Sequence, residues 1–277
     1  MLQIQLHCFL CDAFDVLIAK NGVFMIPQGG FSRQVWVSRL TVKAILTDMD
    51  GTFTKFNLDY MGMRRTALQL LDEVGLMHPN FSDQMNIYAM LNELRGTINR
   101  DRFNEIKKRI YAMVETIETK AAEQVQLMPG AKEALNELKQ MRKKIVVVTN
   151  NGRRGTDRTL DRLNLGGVFD GVVTRDDADL LKPDPGIVLK ALSLARVNAD
   201  EAILVGDAVI DIRAARAASV RSVAVPTGPF PAARLLEEEP DFIVSSFLEV
   251  PGLVRRLDGQ SLASDLDRGA RDNSYLD

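Results

Sequence analysis

The chain has 277 residues, of which 46% are apolar and 26% charged, with 35 Lys plus Arg against 37 Asp plus Glu and a net charge of −2. This is an ordinary globular composition without a basic excess, so no nucleic-acid-binding surface is expected. No uninterrupted run of about 18 apolar residues is present to span a membrane, and the two cysteines cannot build a disulfide framework, which fits a reducing, cytoplasmic setting.

Residues 1–41 read as an N-terminal extension of unclear role. No Lys or Arg precedes Lys20, so the positive start of a secretory signal is missing. Cys8 and Cys11 form a CxxC after His7, but a zinc site needs a second ligand pair, and the other histidine, His78, has no cysteine nearby. A redox CxxC would open a helix after a strand, which this stretch does not display. The pair therefore reads as inert apolar residues. The run Gly22 to Trp36 mixes Gly, Pro and Gln and fits a loop, an extra strand or a hairpin.

Regular patterning starts near residue 42. Short apolar runs at Ala44–Leu46, Ile145–Val148, Gly171–Val173, Ile203–Val205, Val220–Val225 and Phe242–Val244 have the length of buried parallel strands. Helical spacing separates them. Ala134, Leu135, Leu138 and Met141 share one face, and Asp184-Pro185 opens an amphipathic run through Ile187, Val188, Ala191, Leu192 and Ala195. Strand and helix alternate, so the predicted class is α/β, a Rossmann-like doubly wound parallel sheet.

Residues 56–128 break the alternation. Phe103, Ile106, Ile110, Met113, Val114 and Ile117 recur at steps of three and four, as do Ala67, Leu70, Leu71 and Val74, and Tyr88, Leu91 and Leu94. With ten basic and ten acidic residues between Phe53 and Met128, the segment is neutral and reads as an inserted helical cap. The core domain is thus expected at 42–55 and 129–252, with a polar, flexible tail over 253–277.

Four motifs sit at strand ends, where open parallel sheets bind ligands. Asp48-Met49-Asp50-Gly51-Thr52 places two carboxylates two residues apart, suited to a nucleophile and a proton-transfer partner, although Asp-Gly is also a common turn. Thr149-Asn150-Asn151 offers a hydroxyl, side-chain amides and N–H groups to phosphate oxygens, or an ordinary loop. Lys182-Pro183-Asp184-Pro185 presents a lysine able to neutralise a phosphoryl group, or a solvated turn lysine. Gly206-Asp207-Ala208-Val209-Ile210-Asp211 sets carboxylates one helical turn apart, which suits Mg²⁺ or, alternatively, helix capping by Asp207.

In this order the motifs resemble those of the haloacid dehalogenase superfamily, and the phosphoglycolate-phosphatase-like members in particular, over roughly residues 42–250. The resemblance implies a Rossmann-like core with a helical cap inserted between the first and second motifs. It also implies roles. Asp48 would be the nucleophile that becomes phosphorylated, and Asp50 the acid and then the base. Thr149 and Lys182 would hold the phosphoryl group, with Asn150 and Asn151 beside them. Asp48, the backbone carbonyl of Asp50, and Asp207 would ligate Mg²⁺, with Asp211 nearby. Ala208 stands where many relatives have a small hydroxyl residue, and Ser219 where a glycine is common.

The implied activity is Mg²⁺-dependent hydrolysis of a small phosphomonoester, phosphoglycolate-like or a sugar phosphate. A phosphomutase of the same superfamily, or a catalytically silent binding protein on the same fold, are the alternatives. Asp50 argues against a dehalogenase, and the intact carboxylates argue against a silent scaffold. The expected partner is a small phosphorylated metabolite, with no nucleic acid or membrane, and the chain is expected as a monomer or homodimer. Lys55, Asn57, Arg64, Arg65 and Arg95 are candidate cap or hinge contacts, and Thr52–Asn57 and Gln126–Gly130 are the expected hinges.

Overall fold

The computed structural model describes residues 41–259 and two earlier strands, Phe14–Ala19 (β1) and Gly22–Pro27 (β2). These two pair antiparallel, Phe14 opposite Pro27 and Ala19 opposite Gly22, so a hairpin is what the early Gly- and Pro-containing run helps to form. Cys8, Cys11 and residues 260–277 lie outside the described residues.

Six parallel strands make the main sheet: Ala44–Thr47 (β3), Lys144–Val148 (β4), Gly171–Val173 (β5), Ala202–Gly206 (β6), Arg221–Ala224 (β7) and Phe242–Ile243 (β8). Their order is β5-β4-β3-β6-β7-β8. The chain therefore steps outward from β3 in one direction and then in the other, and the crevice this leaves opens at the carboxyl end of β3. Helices run over Tyr60–Glu73 (α1), Ile87–Arg95 (α2), Arg100–Ala122 (α3), Ala131–Gln140 (α4), Arg153–Arg162 (α5), Gly186–Ala195 (α6), Val209–Ala217 (α7), Ala232–Leu236 (α8) and Val250–Leu257 (α9).

Alternation within each strand feeds two apolar layers. Ile45, Ile145, Val147, Ile203 and Val205 pack toward Leu135 and Leu138 of α4 and Leu253 and Val254 of α9. Leu46, Val146, Val148 and Leu204 pack toward Ile187, Val188 and Leu192 of α6 and Ala214 and Ala215 of α7. Both sheet faces are covered, which is why the strands read as continuous apolar runs. α1, α2 and α3 enclose a third, separate cluster built from Leu70, Leu71, Met90, Leu94, Ile106 and Ile110. Each of these helices starts with a side-chain cap: Asp59 accepts from Gly62 N, Asn86 from Ala89 N, and Asn99 from Arg102 N.

The two crossings between core and cap are tied together. Lys55 N donates to Gln126 O at 2.8 Å and Met128 N to Phe53 O at 2.9 Å, and Thr54 bridges antiparallel to Leu127. The segments expected as hinges thus form one short two-stranded ladder. Lys55 and Asn57 serve this junction, through Gln126 Oε1 and Ala121 O.

A core boundary at 252 cuts through α9. Leu253, Val254 and Leu257 are buried in the sheet's apolar layer, and Asp258 accepts from Val42 N at 2.8 Å and from Lys143 Nζ at 2.5 Å. Gly252, Arg255, Arg256 and the polar residues beyond hide these anchors, because one helical face suffices to bury them. The core therefore extends through Asp258. Leu253→Ala is expected to cost about 2–5 kcal/mol, the usual range for a fully buried leucine, read as a lowered midpoint in urea with an unchanged slope.

Candidate active site

The turn after β3 winds around one carbonyl. Thr52 N, Phe53 N and Thr54 N all donate to Met49 O, at 3.2, 3.2 and 3.1 Å, and the Thr54 hydroxyl adds a bond of 3.0 Å. Met49 is buried beneath this turn, so Asp48 and Asp50 are turned the other way, toward the crevice. Gly51 has φ +85°, and a Cβ there would stand 2.4 Å from Asp207 Oδ2. Only glycine satisfies both conditions. Thr227 Oγ1 donates to Gly51 O at 2.6 Å and holds the turn from the far side.

Lys182 draws three strand ends together. Its Nζ donates to Asp48 Oδ1 at 2.5 Å, to Asp211 Oδ1 at 2.7 Å and to Val148 O at 2.8 Å. Its side chain is 1% exposed, that of Asp211 2% and that of Asp48 13%, so Asp48 is the member of the trio that solvent reaches. Asp207, at the end of β6, accepts from Thr52 Oγ1 at 3.1 Å. Asp211 caps α7 by accepting from Ala208 N at 3.0 Å, so the capping role falls to Asp211 and not, as the sequence suggests, to Asp207.

One carboxylate oxygen from each of Asp48, Asp207 and Asp211 lies within 4.8 Å of the others. Burial, and then repulsion from Asp48 and Asp211, pushes Asp207 up to about 9. Burial likewise raises Asp211, to about 6, although Lys182 opposes the shift. Burial works to lower Lys182, but Asp211 and Asp48 more than offset it and hold the ammonium above its usual range. One lysine does not balance three close carboxylates. Converging hard oxygen donors with surplus negative charge are the chemistry that a divalent cation of the magnesium type requires, and the residues fit one.

Asp50 stands apart from that cluster. Asn151 Nδ2 donates to its Oδ2 at 2.5 Å and Thr54 Oγ1 to its Oδ1 at 3.2 Å. Burial first, then the charge of Asp48, raises it to about 7 despite these two donors. A carboxyl poised near neutrality can give up and take back a proton at physiological pH.

The side chains of the second motif also make bonds within the site. The Asn150 amide is spent on the backbone of Lys182, donating to its O at 2.9 Å and accepting from its N at 3.0 Å. Asn151 binds Asp50. Both side chains therefore orient reacting groups, each amide nitrogen using one of its two N–H groups to do so. Thr149 is buried, and its Oγ1 accepts from Asn151 N at 3.1 Å. Arg64 and Arg95 turn into the cap itself, donating to Asp83 O and lying over the Phe103 ring.

Sequence reasoning missed Glu118 and Arg175, a buried ion pair beside the 150–152 loop with contacts of 2.7 and 3.0 Å. A signal existed for Glu118: it continues the buried stripe Phe103, Ile106, Ile110, Val114, and a carboxylate on an apolar stripe calls for a partner. Arg175 carries no comparable mark. Tyr60, stacked on Phe56 with centroids 5.1 Å apart, was missed as well; burial and the charges of Asp50, Asp48 and Asp207 raise its phenol above its usual range.

The chain has matches among known proteins. The family model for haloacid dehalogenase-like hydrolases matches residues 45–225. The PpaX protein of Clostridium perfringens, named as a candidate pyrophosphatase, is 30% identical over 221 residues, 78% of this chain and 99% of that one. A phosphoglycolate phosphatase of Nitrosococcus oceani is 27% identical over 218 residues, 76% of this chain and 95% of that one. A second candidate pyrophosphatase PpaX, from Caldanaerobacter subterraneus subsp. tengcongensis, is 38% identical over 127 residues, which span 46% of this chain and 58% of the relative. The crystal structure of a hydrolase from Pseudomonas syringae superposes with a TM-score of 0.59 at 24% identity, over 77% of this chain and 98% of that one; at that identity it supports the fold. The chain belongs to the haloacid dehalogenase-like hydrolases. Among the described residues no helix is long and apolar enough to cross a membrane.

The carboxylate cluster makes stability depend on pH. An unfolded aspartate ionises near 3.8, whereas folded Asp207 keeps its proton to about 9 and Asp50 to about 7. Without a cation, folding takes up protons, and stability is lost as pH rises from the lower value toward the higher ones. Lys182 stays charged throughout this window. Asp207→Asn, which cannot ionise, is expected to melt above wild type in EDTA at about pH 8, with the gap narrowing toward about pH 5; scanning calorimetry at both pH values checks the direction.

Proposed function

We propose that this protein is a phosphatase that hydrolyses small phosphomonoesters through a phosphorylated Asp48. One observation carries the reading: at the β3 crevice, the exposed member of a lysine-bound carboxylate cluster, Asp48, stands two residues from Asp50, a carboxyl raised to about 7. Asp48 Oδ1 is taken by Lys182, and Oδ2 is the oxygen offered to phosphorus. As the P–O bond to the alcohol breaks, protonated Asp50 delivers its proton to the leaving oxygen. The carboxylate so formed then takes a proton from the water that attacks the phosphorylated Asp48, which releases inorganic phosphate and restores both groups.

Phosphoryl transfer asks mainly for positioning and charge neutralisation. Lys182 supplies one fixed positive charge beside the nucleophile. A Mg²⁺ ion, held by Asp48, Asp207 and Asp211 with the backbone carbonyl of Asp50, would supply the further charge that offsets repulsion between carboxylate and phosphate. The Thr149 hydroxyl, with the Asn150 backbone N–H, is assigned to the phosphate oxygens. The cap lies over this crevice, which favours a small substrate. Phosphoglycolate and pyrophosphate, for which the relatives are named, are the first compounds to assay, followed by sugar phosphates. The scarcity of cysteine favours the cytoplasm as the setting.

Three outcomes are expected. Phosphate release from p-nitrophenyl phosphate and from an alkyl phosphate disappears in EDTA, returns with Mg²⁺, and falls at least about 10³-fold in Asp48→Asn. Release by Asp48→Asn at the wild-type rate would remove the nucleophile from the proposal. With an alkyl phosphate, activity declines on the alkaline side at or below about pH 7, as Asp50 loses the proton the leaving group needs. That decline is shallower with p-nitrophenyl phosphate, whose leaving group needs no proton.

A further inference from the structure

We propose that the buried Glu118–Arg175 pair is a positioning device for the reaction, fixing the loop that orients Asp50 and Lys182 to the end of the cap's long helix, α3. The inference rests on the hydrolase reading given above. Together the two residues grip the main chain of three consecutive loop residues. Arg175 Nη1 donates to Asn150 O at 3.3 Å, Arg175 N donates to Asn151 O at 2.9 Å, and Gly152 N donates to Glu118 Oε2 at 3.1 Å. The side chains of that loop then hold the reacting groups: Asn150 clamps the Lys182 backbone in both directions, and Asn151 binds Asp50. A displacement of the pair therefore reaches the proton donor and the lysine through one residue each.

The local sequence is built for this contact. Gly152 opens α5 without a side chain able to cap it. The carboxylate of Glu118 takes its N–H, and Asp176 takes that of Arg153 at 2.7 Å, so α5 is capped by residues from elsewhere in the chain. A Cβ on Gly152 would come within 2.6 Å of Arg175 Nη2, and one on Gly155 within 2.9 Å of the Glu118 Cβ. Glycine at both positions lets α3 lie close against α5. The guanidinium is also covered by a cap residue, with Cζ 4.6 Å from the Tyr111 ring centroid.

Stability does not account for the pair. Two charges lose their water here, and Arg175 Nε is buried with no hydrogen-bond partner. Apolar residues of similar volume commonly do as well or better at such positions. What they cannot do is hold Asn150 O and Gly152 N through side chains, leaving only the main-chain bond from Arg175 N to Asn151 O.

The test compares wild type with the apolar double variant Glu118→Leu/Arg175→Met and with Glu118→Gln. For p-nitrophenyl phosphate with Mg²⁺, the double variant is expected to melt no lower than wild type, to lose about 10- to 100-fold in kcat, and to keep KM within about twofold. Glu118→Gln keeps the shape and an acceptor for Gly152 N, and its kcat should lie between the two. Wild-type kcat in a folded double variant, or a loss confined to KM, overturns the proposal. If the double variant does not fold, wild-type kcat in Glu118→Gln overturns it and a reduced kcat at unchanged KM upholds it. Amide hydrogen exchange across residues 149–153, measured without substrate, separates this inference from the hydrolase reading. Faster exchange there in the variants, with the central strands unchanged, supports positioning even if wild type releases no phosphate, and unchanged exchange overturns it even if wild type is an active phosphatase.

Discussion

Everything at the crevice depends on carboxylates that repel one another around one buried lysine. Asp48, Asp207 and Asp211 come from the ends of two strands and the first turn of α7, yet their oxygens lie within 4.8 Å of each other. Left to themselves such groups would separate or protonate. The sheet forbids separation, because β3 and β6 are hydrogen-bonded neighbours in fixed register. Burial and repulsion then appear as raised proton affinities, and the charge deficit that remains is what a cation and the phosphate chemistry can use. A folded core strong enough to hold these groups together is therefore a condition of the function.

That core is divided in a way that suits the task. Two apolar layers clamp the sheet, while the cap encloses its own cluster and reaches the core through a short ladder at Thr54 and Leu127. A cap with its own core can keep its shape while its relation to the crevice changes. The Glu118–Arg175 contact lies close to the return crossing, where α3 already packs on α5. Cap and the 150–152 loop are thus joined at that crossing.

The residues around the reacting groups also show how one side chain serves two ends. Asp211 caps α7 and faces Lys182. Thr52 continues the turn and bonds Asp207, and Thr54 both closes the turn and reaches Asp50. Ser219 has φ +57°, the left-handed conformation that explains why a glycine is common there.

Much of this was legible in the sequence. Strand-length apolar runs pointed to the parallel sheet, helical spacing to the three cap helices, and Asp48, Asp50, Lys182, Asp207 and Asp211 stood out because they lie near the ends of apolar runs or beside a Pro-marked turn. These signals are local: periodicity and chain position are enough to place them. The buried end of α9 was not legible, because three anchors on one helical face are diluted among Arg and Asp. The bonds that Asn150 and Asn151 make within the protein were not legible either, since an amide just past a strand can serve a ligand, a neighbour's backbone or a carboxyl equally well. Glu118 and Arg175 are 57 residues apart in the chain, and nothing in either neighbourhood names the other. Sequence alone determined which chemical groups stand at the strand ends. Only the tertiary structure decided which of them converge on Lys182 and which hold the others in place, because that depends on hydrogen bonds between segments that meet only when the sheet is assembled and the cap is laid against it.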